Sequence, residues 1–141
     1  MNKDPFKKLI LCLIPVNCLI FQAVYAQETF KTANIDKNGN QVIEIIGGNY
    51  FFKPDHIIVK VNTPVELRVK KEKGFIPHNI TMTEIDSGIE IEFEESLGTE
   101  TITVKFTPTV KGKFAFYCDG QFLFFESHRE KGMEGILEVV E

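Results

Sequence analysis

The chain has 141 residues, 43% of them hydrophobic and 26% charged, which suits one globular domain and leaves no room for a second of ordinary size. Its formal net charge is −4, from 16 basic and 20 acidic residues, so repulsion from phosphate excludes a nucleic-acid partner while a basic protein partner remains open.

At the N-terminus, Lys3, Lys7 and Lys8 precede an apolar run over 9–21, and Val24-Tyr25-Ala26 follows shortly after. Small residues at that spacing are what a signal peptidase inspects, so 1–26 is predicted to be a secretory signal peptide cleaved before Gln27. The run is too short, and too soon followed by polar sequence, for a membrane span; retention as an anchor and lipidation at Cys18 fit less well. Three Lys and one Asp leave with 1–26, so the mature chain keeps 13 basic and 19 acidic residues, a net charge of −6. Cys12 and Cys18 leave as well, and Cys118 stays as the single thiol of the exported domain. In an oxidising compartment a lone thiol is exposed to oxidation or intermolecular pairing unless it is buried or bound. Metal ligation answers that problem directly.

Residues 27–41 read as a polar leader, turn-rich over Asp36-Lys37-Asn38-Gly39-Asn40. From 42 onward the chain is a succession of short β-like segments. The first covers 42–46. The second covers 50–61, where Pro54 demands an edge, a bulge or a break. The third, 64–70, alternates Val65, Leu67 and Val69 with Glu66, Arg68 and Lys70, as a half-buried strand does. Further strands are expected over 78–84, 89–94, 101–106, 114–118 and 136–140, the fifth and sixth of the series again with a period of two. About eight such strands predict an all-β fold, a Greek-key β-sandwich formed by 42–141. The helix-like possibility in the mature chain is a turn or two at 127–131. Glu90, Glu92, Glu94 and Glu95 read as a solvated strand face and its turn. His56 lies inside an apolar segment with no companion ligand nearby and reads as structural.

Chemistry concentrates in His78, Cys118, His128 and Met133, which supply two imidazoles, a thiolate and a thioether. Soft sulfur with borderline nitrogen suits copper in preference to magnesium or calcium, and two His with a Cys and a weak axial Met make a blue-copper donor set. Cys118 ends one strand, His128 and Met133 lie in the loop before the last, and His78 opens another, so one end of a sandwich can gather all four. Plainer readings exist for each: a core thiol for Cys118, loop residues for the two His, packing for Met133.

The closing stretch Gly112-Lys-Phe-Ala-Phe-Tyr-Cys118, then His128-Arg-Glu-Lys-Gly132-Met133-Glu-Gly135, then Ile136-Leu-Glu-Val139 resembles the cupredoxin family, which includes plastocyanin and azurin. Phe52-Lys-Pro54-Asp-His-Ile57-Ile-Val59, Pro64-Val65-Glu-Leu67 and Pro77-His78-Asn79 are similar to the early strands and first ligand loop of that family. The resemblance implies one copper ion, with His78, Cys118 and His128 as equatorial ligands and Met133 as the long axial one. It implies that Asn79 ties the two ligand loops together, while a backbone amide there donates to the Cys118 sulfur and tunes the site. One departure is plain: nine residues separate Cys118 from His128, where familiar members place only a few. The longer spacer admits Asp119 or Glu126 as a ligand, and its Phe122-Leu123-Phe124-Phe125 either plugs the sandwich end or forms an apolar docking patch near His128.

The expected function is single-electron transfer between redox proteins by an exported, periplasmic-type monomer, through a mononuclear site and without enzymatic turnover. Copper storage or delivery through the same ligands is the alternative. A metal-free sandwich for adhesion or assembly is a third reading. A thiol hydrolase has no oxyanion-hole signature and leaves the Met spacing unexplained.

Overall fold

The computed structural model describes residues 30–83 and 91–141; the expected signal segment 1–26, with Cys12 and Cys18, lies outside them, as does Glu90. Eleven strands run through the described residues: β1 (Phe30–Thr32), β2 (Asn34–Ile35), β3 (Gln41–Gly48), β4 (Phe51–Lys53), β5 (His56–Lys60), β6 (Val65–Lys71), β7 (His78–Thr83), β8 (Glu92–Leu97), β9 (Ile102–Phe106), β10 (Gly112–Tyr117) and β11 (Glu134–Val140). They form two sheets. One has the order β1-β5-β11-β10-β7-β8; the other runs β2-β3-β6-β9, with β4 also paired to β3. The architecture is the expected β-sandwich. No helix among the described residues is long and apolar enough to cross a membrane.

The alternation read from the sequence is the alternation of burial. In β6, Val65, Leu67 and Val69 are fully buried between the sheets, with Glu66 and Arg68 turned away from them. Ile43 and Ile45 of β3 complete that sheet's inner face, against Ile57 and Val59 of β5, Ile80 and Met82 of β7, Phe116 of β10 and Leu137 of β11. Each such side chain contributes roughly 1.5–3 kcal/mol on burial, so a register slip by one residue, which exposes a whole row, is strongly disfavoured. Phe52 and Phe116 meet edge-on across the sandwich at 5.4 Å.

Two differences from the sequence reading have simple causes. The segment 50–61 is split: β4 belongs to one sheet and β5 to the other, and the chain crosses between them at Pro54 and Asp55. Proline's missing donor is tolerated at such a crossing. The leader contributes β1, parallel to β5, and β2, antiparallel to β3. Phe30 and Ile35 there remain exposed, so these edge strands are recruited by backbone pairing without apolar alternation to reveal them. The stretch 127–131 is a pair of tight turns, closed by Lys131 N to Ser127 O at 3.2 Å and Gly132 N to Arg129 O at 2.8 Å. Glu92, Glu94 and Glu95 are exposed on β8 beside buried Phe93, as a solvated face requires.

Candidate metal centre

One end of the sandwich collects the residues singled out above. His78 opens β7, Cys118 directly follows β10, and the β10–β11 loop carries His128 and Met133. The Cys118 Sγ is 3.3 Å from His128 Nδ1 and 3.9 Å from His78 Nδ1, and the two Nδ1 atoms are 3.1 Å apart. All three residues are buried, His78 being 7% exposed and His128 6%. Among the described residues this is the cluster able to hold a metal, and it contains no carboxylate: neither Asp119 nor Glu126 belongs to it.

The donor set fits a trigonal ion. Bonds of about 2.0 Å to nitrogen and about 2.3 Å to sulfur, opened to about 120°, separate donors by roughly 3.5–3.7 Å. The observed spacings of 3.1–3.9 Å bracket that span. The imidazoles are also in the right protonation state. Burial, then the charges of His128 and Lys71, pushes His78 down to about 4; burial and the Lys131 ammonium likewise lower His128. Neutral rings at physiological pH offer lone pairs in place of a proton.

Asn79 connects the two ligand loops. Its backbone N–H lies 3.4 Å from Cys118 Sγ, its side-chain amide donates to Asp119 Oδ1 at 2.6 Å, and its carbonyl oxygen accepts from Asp119 N at 3.1 Å. This reciprocal pair occupies the Asp119 carboxylate away from the cluster. Met133 is fully buried at the end of the loop, where its N–H donates to His128 O and its carbonyl accepts from Cys118 N.

Two contributors escaped the sequence reading. Gly120 is required for space: a Cβ there would lie 2.8 Å from His128 Nδ1 and 3.4 Å from Cys118 Sγ, filling the hollow between the donors. The Gly two residues after Cys118 was the available signal. Tyr50, with φ of 61°, stands edge-on to both imidazoles, 5.8 Å from His78 and 5.0 Å from His128. An aromatic in the β3–β4 turn gives no such warning in sequence.

The spacer does not plug the sandwich. Phe122, Leu123, Phe124 and Phe125 are all exposed, Phe124 by 86%, and the Phe rings stack on one another. They stand beside a cavity of about 590 Å³ whose lining includes Tyr50, Phe75, Phe122, Phe125 and both imidazoles. His56 lies outside the cluster and has a different partner: its Nε2 is 2.7 Å from Glu138 Oε2.

A two-sheet sandwich with a buried nitrogen and sulfur cluster at one end defines a small class of copper-binding domains. The Cupredoxin-like domain family matches residues 17–133, and the chain belongs to that family. No curated protein sequence matches it significantly. Its fold is similar to the metal-binding domain of the Streptococcus pneumoniae D39 Cu(I)-exporting P-type ATPase CopA with Cu(I), at TM-score 0.61 and 23% identity over 81% of this chain and 98% of that one. It is also similar to a copper-binding protein in the apo form (TM-score 0.59, 22% identity, 80% and 99% covered). A third likeness is to dithionite-reduced auracyanin from Roseiflexus castenholzii (TM-score 0.56, 19% identity, 71% and 97% covered).

Proposed function

We propose that the protein is an exported single-electron carrier that holds one copper ion through His78, Cys118 and His128, with Met133 as a weak axial ligand. The observation that carries this reading is the convergence of one sulfur and two ring nitrogens, from three separate chain segments, in one buried cluster. Copper, when bound, supplies the one-electron couple. The protein's part is rigidity: β7 and β10 fix His78 and Cys118, the Asn79–Asp119 pair locks their loops together, and the Asn79 N–H stabilises the thiolate. A donor set held in place reduces the rearrangement that accompanies each electron.

The reading is of a carrier and not of an enzyme. The exposed Phe122–Phe125 patch beside His128 is proposed as the docking surface for an unidentified redox protein, which meets a monomer of this chain in the periplasm or its equivalent after removal of 1–26. Contiguous exposed aromatics of this kind mark interaction surfaces.

The second reading, copper delivery or storage, is favoured by the cavity lined by both imidazoles, which offers a route for the ion itself. The likeness to the Cu(I)-exporting ATPase domain supports it in the same direction. Adding Cu(II) to the purified protein separates them. An intense visible thiolate-to-copper charge-transfer band that vanishes reversibly on reduction is expected for the electron carrier. A colourless protein that binds Cu(I) alone favours delivery, and no stoichiometric metal in either state removes both. Retention of native-coloured, stoichiometric copper by His128→Ala removes His128 from the site.

A further inference from the structure

The nine-residue spacer raises a problem that the geometry answers. Within 121–126, hydrogen bonds run inside the loop, from Gln121 Nε2 to Phe125 O at 2.8 Å and from Phe125 N to Phe122 O at 3.1 Å. The far end of the loop is brought back by the backbone of His128 itself, whose N–H donates to Gly120 O at 2.8 Å and whose carbonyl accepts from Met133 N at 2.9 Å. The turn that follows is pinned at two further points, Arg129 and Lys131, both just after His128. The Arg129 guanidinium lies 4.1 Å over the ring of Tyr117, the residue before Cys118. The Lys131 ammonium lies 4.5 Å over the ring of Tyr50, which itself stands against both imidazoles. The turn is rigid between these contacts: Ser127 N–H and Oγ both donate to Glu130 Oε2, and Glu130 N donates back to Ser127 Oγ. A stiff turn with two fixed points is a clamp.

We propose that Arg129 and Lys131 are positioning residues whose cation–π contacts with Tyr117 and Tyr50 brace the turn after His128 and, added to its backbone bonds, hold the His128 imidazole against Cys118. The inference rests on the copper reading above, because it concerns the aim of a ligand of that site. Tyr50 adopts a left-handed backbone conformation rarely tolerated by a bulky residue, and such positions persist where surrounding contacts over-determine them.

Charge and clamping predict opposite results at Lys131, which makes the idea testable. The Lys131 ammonium repels positive charge at His128, adding to the larger effect of burial on that ring. Removing the cation on electrostatic grounds alone therefore tightens copper binding. Removing a clamp loosens it. We expect Arg129→Gln/Lys131→Gln in the intact chain to bind copper about four- to twenty-five-fold more weakly in competition with a chromophoric chelator, two contacts each being worth about two- to fivefold. Arg129→Lys, Lys131→Arg and Tyr50→Phe, which keep a cation or a ring face, should stay within about twofold of wild type. Glu134→Gln, which loses only the Arg129–Glu134 ion pair of 2.9 Å, serves as the control. Both cations are exposed, so these variants are expected to fold. A metal-free readout stands beside the affinity: imidazole ¹⁵N spectra should show His128, and not His78, broadened in the double variant. Copper binding as tight as wild type or tighter, with an unchanged His128 signal, overturns the proposal. If wild type binds no copper, the copper reading fails, and the metal-free spectra alone decide whether the clamp exists.

Discussion

His56 and the His78–His128 pair are histidines of one sandwich in contrasting surroundings. His56 Nε2 is 2.7 Å from a Glu138 oxygen, which also lies 3.6 Å from Lys113 Nζ. The His56 hydrogen bond first, and then Lys113, hold the Glu138 carboxyl below the usual carboxylate range. His78 and His128 have instead a sulfur and each other, and burial is the first cause keeping them neutral. A carboxylate partner occupies an imidazole nitrogen; burial among soft donors leaves it free for a metal. Residue type alone does not separate a ligand from a structural histidine. The neighbours do.

The contrast breaks most completely at the sulfur. Cys118→Ser replaces the soft thiolate with a hard, un-ionised hydroxyl, and we expect loss of the visible charge-transfer band together with copper affinity lowered by orders of magnitude. A coloured, stoichiometric Cys118→Ser protein would falsify thiolate ligation. Next in size is Gly120→Val. Any Cβ there lies within 2.8 Å of His128 Nδ1, so the imidazole must turn out of the cluster. Copper affinity is expected to fall about ten- to a hundredfold, the range for changes that misdirect a ligand, with far-UV circular dichroism unchanged. Affinity within twofold of wild type would mean that the hollow is not used.

The legible and illegible parts of the molecule divide along a physical line. Strands whose alternation buries one face, such as 64–70 and 101–106, announce themselves because the period of two is the packing itself. The edge strands Phe30–Thr32 and Asn34–Ile35 are held by backbone hydrogen bonds, including Ala33 N to Ile58 O at 3.0 Å, and the backbone is the same in every sequence. At the site, donor chemistry made His78, Cys118 and His128 visible. Gly120 and Tyr50 act by the room they leave or the ring they present to residues distant in sequence. That the spacer presents Phe122–Phe125 to solvent could not be chosen from composition, since apolar residues fit a plug as well as a patch.

Acid sharpens the comparison with smaller effects, measured on the metal-free protein. His78 has its value lowered from an ordinary 6.5 to about 4, so the unfolded chain takes up the proton first. Stability should therefore fall as pH drops from about 6.5 towards 4, and the loss should stop growing below that. Glu138 is shifted down from 4.5, so its contribution is present above that value and is lost as pH falls through its lower folded value. The two regions thus respond in successive windows. His78→Asn should shrink the upper window to the part that His128, also lowered from 6.5, contributes, and leave the lower one intact; urea midpoints at half-unit pH steps would reveal it. An unaltered upper window would mean that His78 is not held neutral by the fold.

The smallest change is expected from cutting the other pair. Glu138→Gln removes an ion pair at the sheet surface, where such contacts contribute little. A slight fall in Tm should accompany an unchanged copper spectrum and affinity. One connection makes this worth measuring: β11 starts directly after Met133, and Ile136 in that strand pairs with His56 and donates its N–H to Asp55 O at 2.6 Å. A disturbance at Glu138 therefore has a short covalent path along β11 to the ligand loop. An altered charge-transfer band in Glu138→Gln would show that the strand transmits it, and that the two histidine regions are mechanically one.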